Sequence, residues 1–213
     1  MSHAPFASRL TRHPLPFDPA AGAETGRAFA DLGPELAPLL IGTAGCSPYL
    51  ADLMTREAEW LRVAMGAAPE DALATELAGL EALTLDTLGD GLRRAKCRVA
   101  LLAGLADLGG VWPLEAVTGA LTELADCAVD LSLKRLVADE IRRGKIPGAV
   151  PEDAETAAGM VVFAMGKMGA GELNYSSDID LICLFDEALY PESAQEARSA
   201  FIRVTRKMAA LVG

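Results

Sequence analysis

Apolar residues recur along this chain at two periods, and the change of period divides it. From about Ala23 to Arg143 the spacing is three and four, as in helices that bury one face. Ser47-Pro48 predicts a helix start, with Ser at the N-cap and Pro in the first turn. Leu50, Leu53, Met54, Glu57 and Leu61 then form a stripe ending near Gly66, with Glu57 its one polar member. Pro69-Glu70-Asp71 opens a second helix with acids at its positive end. Leu73, Leu77, Leu80 and Leu88 line it, and Gly89-Asp90-Gly91 is expected to end it. Leu92, Ala95, Val99, Leu102 and Leu105 stripe a third helix, stopped by Gly109-Gly110. Its other side, with Arg93, Arg94, Lys96 and Arg98, reads as a solvated basic face. Trp112-Pro113 starts a long helix to Arg143, with Leu114, Val117, Leu121, Leu124, Ala128 and Leu131 facing one way. At 1.5 Å per residue it would extend about 45 Å. Ahead of these, Gly33-Pro34 and Pro38 keep a weak segment short, and Pro5, Pro14, Pro16 and Pro19 suggest an extended arm.

After Lys145 the pattern changes. Pro147, Gly148 and Pro151 read as a linker. Gly159 to Met165 (GMVVFAM) and Asp178 to Phe185 (DIDLICLF) have the length and composition of buried strands. Gly166 to Ser177 between them is glycine-rich. Beyond Pro191 a helix presents Phe201, Val204, Met208 and Leu211 on one face. The expected fold is mainly α with an α+β part. The expected domains are a tail over 1–22, a helical domain over 23–146, a linker over 147–158 and the start of an α/β domain over 159–213.

Composition narrows the chemistry. Of 213 residues 51% are hydrophobic but only 5% aromatic, so the core is aliphatic and favours helices. The net charge of −11 makes the chain a poor binder of nucleic-acid phosphates or anionic lipid. Cys46, Cys97, Cys127 and Cys183 form no CxxC pair, which reads as reduced thiols in a cytoplasmic protein. The two histidines, His3 and His13, both lie in the N-terminal arm, so a Ser-His-Asp triad or a histidine metal site is not expected. No signal peptide or membrane span is expected either.

A metal site must then be built from carboxylates, and Asp178 and Asp180 are the candidates. On a strand, D-x-D puts both carboxylates on one face, about 6–7 Å apart. Such a pair repels itself unless a cation lies between, and oxygen-only ligation suits Mg2+ completed by water and phosphate. Alternatively, the two Asp merely face water. Gly166 follows the first strand, and Lys167 and Gly169 belong to a small-residue turn whose backbone N–H groups can approach a phosphate. Ser176 and Ser177 either donate to phosphate or cap the turn before the second strand. Glu172 is a third acid or the cap of a short helix. No P-loop pattern is present.

The run Gly166 to Leu181, GKMGAGELNYSSDIDL, resembles the signature of the glutamine synthetase adenylyltransferase/adenylyl-removing enzyme family, within the DNA polymerase β-like nucleotidyltransferases. Gly166-Lys167, Gly169, Glu172-Leu173, Ser176-Ser177-Asp178 and Asp180-Leu181 fit the family pattern; Ala170 stands where Gly is common. Ser47 to Leu50 and the helix with Leu92-Arg93-Arg94 resemble stretches upstream of the motif, so the likeness extends from about residue 40 onward. Asn174 matches the N-terminal of the family's two nucleotidyltransferase halves.

The resemblance implies that this half removes AMP from a tyrosine of glutamine synthetase by phosphorolysis, releasing ADP, in the control of nitrogen assimilation. It implies Asp178 and Asp180 as catalytic and metal residues for Mg2+, and Gly166, Lys167, Gly169, Ser176 and Ser177 as the nucleotide and phosphate site. It also implies ATP/ADP and phosphate as ligands, glutamine synthetase as partner and a nitrogen-signalling PII-type protein as regulator, with no nucleic acid or membrane. The superfamily places a further carboxylate on a later strand, so the nucleotidyltransferase domain is expected to be incomplete and the chain inactive alone. The alternatives are an inert helical module that docks glutamine synthetase or a regulator, and another kind of nucleotidyltransferase.

Overall fold

The computed structural model describes residues 4–213. The chain divides into two compact units, the first running to Ala78 and adding Arg94–Leu121, the second made of Gly79–Arg93 and Thr122–Gly213. The helical and strand content agrees with the expected class, mainly α with a small β part.

The first unit is helical. It contains α1 (Pro19–Ala28), α2 (Ala37–Cys46), α3 (Pro48–Arg56), α4 (Ala58–Met65) and most of α5 (Pro69–Glu81). To these it adds much of α6 (Leu85–Leu108) and the start of α7 (Leu114–Arg142). Its core is the expected aliphatic one, with Leu39, Leu40, Leu53, Met54, Leu61, Leu101, Leu102 and Leu105 fully buried.

The N-terminal arm is more structured than its prolines suggest. Phe6 is fully buried in a short 3-10 turn, and Asp18 caps α1 by accepting the Ala20 and Ala21 N–H groups. Pro38 sits in the first turn of α2, where its missing N–H costs nothing, and does not cut the helix short. His13 is exposed; His3 lies outside the described residues.

The stripe from Leu50 to Leu61 spans two helices, broken at Glu57. Glu57 breaks the apolar pattern for a reason visible in space: it accepts from Arg98 Nε at 2.8 Å. Arg98 also reaches Glu76 at 3.1 Å and stacks over Trp60. The basic side of α6 is therefore solvated at Arg93, Arg94 and Lys96 but paired and half-buried at Arg98.

The helix expected to end at Gly89-Asp90-Gly91 ends earlier. Thr84 and Thr87 bond across a new start, and α6 runs on through both glycines. Gly within a helix loses about 1 kcal/mol against Ala. A Cβ at Gly91 would meet the tip of the Leu83 side chain, which would have to turn aside. Leu114, expected in the α7 stripe, is solvent-exposed, while Val117, Leu124 and Leu131 are buried as expected.

The second unit places α7 and α9 (Ala194–Val212) with a two-stranded antiparallel sheet, β1 (Met160–Ala164) and β2 (Leu181–Phe185). The stretch read as a linker ends in 3-10 turns over Pro151–Gly159, with Ala157 and Ala158 left-handed and buried. Phe185, Tyr190 and Phe201 pack ring to ring at 5.0–6.3 Å, joining β2 to α9. The Tyr190 hydroxyl donates to the Ala158 carbonyl at 2.6 Å. Phe201, Val204 and Met208 are buried as the period predicts, and Leu211 is half-buried.

Glu140 of α7 is the unit's one fully buried charge among the described residues. It accepts from Arg203 at 2.7 and 3.0 Å and from Lys207 at 3.3 Å, both on α9. All four cysteines are free. No helix among the described residues is long and apolar enough to cross a membrane.

Candidate functional site

The site grows from the end of the sheet. In the β1–β2 register Val161 faces Leu184, Phe163 faces Ile182 and Ala164 faces Leu181. One further bond, from Met165 N–H to the Asp180 carbonyl at 2.8 Å, carries the ladder to Asp180. Gly166 then leaves the strand direction at φ +57, a left-handed conformation that favours glycine, and opens the single-turn helix α8 (Gly166–Gly169). A Cβ on Gly166 would stand 3.9 Å from Asp180 Oδ2, so the turn and the carboxylate are neighbours.

The two acids lie ahead of the strand rather than on it, since β2 begins at Leu181. The cause is the departure of the partner strand: β1 ends at Ala164 and the chain swings away at Gly166, leaving residues 178–180 at the end of the ladder. The alternation survives. Asp178 and Asp180 are exposed, while Ile179 and Leu181 are half-buried. The acids thus share the open side of the sheet with Val161, Phe163, Met165, Ile182 and Leu184, each about half exposed.

Lys167 is exposed on α8 at this end of the sheet. Gly169 has a packing reason of its own: a Cβ would run into the Ala164 carbonyl, and its N–H donates to Met165 O at 3.2 Å. Met168 is buried and anchors the turn from beneath. Glu172 gives its N–H to the Lys167 carbonyl and does not join the acids. No group of three or more His, Cys, Asp or Glu side chains placed to hold a metal occurs among the described residues.

The loop ahead of the acids is tied by polar side chains. Leu173 is buried and its N–H donates at 3.2 Å to the hydroxyl of Thr122, a buried residue of α7. Asn174 Oδ1 accepts from Ser176 N–H at 3.1 Å and from the Ser177 hydroxyl at 2.7 Å. Ser177 Oγ in turn accepts the Asn174 N–H at 3.1 Å. The single hydroxyl proton of Ser177 is therefore given to Asn174. Sequence reasoning had no route to Thr122, which lies 51 positions from its partner. The N-x-S-S spacing was a local signal for the turn.

Residues 38–213 match the family described as glutamate-ammonia ligase adenylyltransferase. The chain is 42% identical over 180 residues to the bifunctional glutamine synthetase adenylyltransferase/adenylyl-removing enzyme of a Bradyrhizobium species, across 82% of this chain and 18% of that protein. It is 37% identical over 235 residues to the protein of that name from Rhodopseudomonas palustris, across 100% of this chain and 24% of that one. The Caulobacter vibrioides protein of that name is 37% identical over 193 residues, across 88% and 19%. The chain thus spans about a fifth of the length of these curated relatives. No solved structure matches it.

Proposed function

The chain belongs to the glutamate-ammonia ligase adenylyltransferase family, and from that premise we propose that it carries the metal-binding acids of an adenylyl-removing centre. The reaction is phosphorolysis. An oxygen of inorganic phosphate bonds to the adenylyl phosphorus as the bond from that phosphorus to a glutamine synthetase tyrosine breaks. The products are ADP and a tyrosine hydroxyl, once the phenolate takes a proton.

The supporting observation is the shared open end of the sheet, where the Gly166 turn lies beside the Asp180 carboxylate. Asp178 and Asp180 suit Mg2+: two exposed oxygen donors leave positions for water and phosphate, the common way that ion is held. Mg2+ bound there would supply positive charge to the phosphoryl oxygens. Lys167 offers a second cation to the incoming phosphate, and Gly166 lets the backbone approach it without a side chain in the way. Gly169 serves the same turn by packing it on Ala164. Ser176, exposed two residues before Asp178, offers its hydroxyl to phosphate, and Ser177 holds the same turn through Asn174.

Glutamine synthetase is the proposed partner, ATP/ADP and phosphate the small ligands, and a PII-type protein the regulator of the longer protein. Those reagents and the four free thiols fit a cytoplasmic setting. The chain by itself is proposed to be inactive, because two carboxylates alone make a weak clamp.

The test is a chimera in which this chain replaces the matching segment of the Rhodopseudomonas palustris relative. Phosphate-dependent ADP release from adenylylated glutamine synthetase should be present. Asp178→Asn or Asp180→Asn should abolish it while ATP-dependent AMP addition continues. Loss of addition with removal intact would reverse the assignment of the half. Retention of both activities would remove the acids from catalysis.

A further inference from the structure

We infer that Asn174 is a positioning residue, which through Ser177 sets the backbone from which Asp178 projects, with Thr122 holding the start of the same loop. The inference rests on the reading of Asp178 and Asp180 as a cation site.

Asp180 is placed by the sheet, through its carbonyl bond to Met165 N–H. Asp178 comes two residues earlier, beyond that bond, and needs another source of order. It is supplied in sequence. Leu173 is buried and its N–H is held by Thr122 Oγ1. Immediately after it, four hydrogen bonds close Asn174 onto Ser176 and Ser177: two into Asn174 Oδ1, one from Asn174 N–H to Ser177 Oγ, and one from Ser177 N–H to the Asn174 carbonyl at 3.2 Å. The next residue is Asp178. The chain is thus pinned to α7, locked over one turn, and released at the first acid.

This gives Ser177 a role different from phosphate donation, since its proton is committed to Asn174. It also separates position from stability. Bonds in an exposed turn exchange readily with water and add little to global stability. A pair of carboxylates, by contrast, needs placement within about 0.5 Å to share a cation.

The experiment uses the 213-residue chain with Mn2+ as the paramagnetic probe, free ion being measured by electron spin resonance, and amide exchange read at single residues without metal. Asn174→Ala and Ser177→Ala should each speed exchange at residues 176–179 and leave residues 182–185 unchanged. Each should weaken Mn2+ binding about 2- to 10-fold, the worth of one such hydrogen bond. The double variant should be no weaker than the worse single one, and Ser177→Thr, which keeps the hydroxyl, should restore both readouts. Melting should not move. Unchanged exchange at 176–179 in Asn174→Ala overturns the inference, whatever the metal does. Mn2+ affinity that is lost in Asp178→Asn but unaffected in Asn174→Ala overturns it too, and leaves the cation site standing. An unaltered chain that binds no Mn2+ at millimolar concentration overturns the cation reading itself, and with it the role of Asn174 toward the metal.

Discussion

Glu140→Gln should loosen α9 by about 2–3 kcal/mol at neutral pH, and the structure sets that figure. Glu140 is fully buried and meets Arg203 Nε and Nη2, Lys207 Nζ and Arg143 Nη1 at 2.7–3.4 Å. Removing one partner of a buried ion pair typically costs about 3–5 kcal/mol, because a charge is left buried and unpaired. Here the cations are less trapped. The Arg203 and Lys207 side chains are 41% and 43% exposed, so water takes over part of what Glu140 supplied, and the range falls by over a third, to about 2–3 kcal/mol. Glutamine keeps one acceptor oxygen but turns an N–H2 group toward the guanidinium.

The assay must look at the right unit. Trp60 and Trp112 both lie in the first unit, so indole emission would miss the event. Amide exchange over residues 194–212 reports on α9 directly and should accelerate about 30- to 150-fold at pH 7, the same energy expressed as an opening constant.

The pH dependence supplies a second arm. Burial pushes the Glu140 carboxyl up, but hydrogen bonds and charge from Arg203 and Lys207 outweigh it and hold the group below its ordinary value of 4.5. A carboxyl depressed in the folded state contributes stability that is present above the unfolded value and lost as pH falls through the folded one. The gap between wild type and Glu140→Gln should therefore be widest near neutrality and shrink once pH drops below about 4.5. Wild-type exchange of α9 in the variant at pH 7, or a gap that does not change with acid, would refute the account.

Two further outcomes follow from the turn after β1. Gly169→Ala forces a methyl against the Ala164 carbonyl, where backbone cannot yield cheaply; the cost should be about 1–3 kcal/mol, seen as faster exchange over residues 160–165, and an unchanged rate would mean α8 is free to shift. Lys167→Ala should leave stability within about 0.5 kcal/mol, as for other exposed loop positions, yet raise the phosphate concentration needed for half-maximal ADP release in the chimera; an unaltered phosphate dependence removes Lys167 from that role.

The parts of the fold that could be read from sequence are those governed by neighbours along the chain. Ser47 caps α3 through Leu50 N–H, and the acids at Pro69-Glu70-Asp71 open α5, because capping and dipole effects act within one turn. The alternation of Asp178, Ile179, Asp180 and Leu181 is legible for the same reason. What failed was decided by distant residues. Glu57 looked like a flaw in an apolar stripe until Arg98, 41 positions away, took its charge. Gly89 and Gly91 looked like a stop, and local propensity does favour one, but α6 runs on through both with Leu88 and Leu92 buried on either side of them. Phe6 was masked by a proline-rich context and proves to be core.

The candidate site was legible as a motif but not as a structure. D-x-D identified the acids and their shared side; their position ahead of the strand depends on where β1 ends, which the glycine at 166 decides. From this comes a division of labour across the sheet. The side bearing Leu181, Cys183 and Phe185 meets α9, and the Glu140 ion pairs hold α9 in turn to α7. The opposite side carries the acids and five half-exposed apolar residues. Strand geometry couples the two, because whatever register buries Leu181 and Phe185 must present Asp178 and Asp180 outward. A slip of one residue would turn both carboxylates toward α9, where desolvation would oppose their charge. The packing that stabilises the second unit thereby also selects the face on which the proposed chemistry would occur. Substitutions on the open face should therefore alter the proposed ion or phosphate binding while the fold, held from the other side, stays intact.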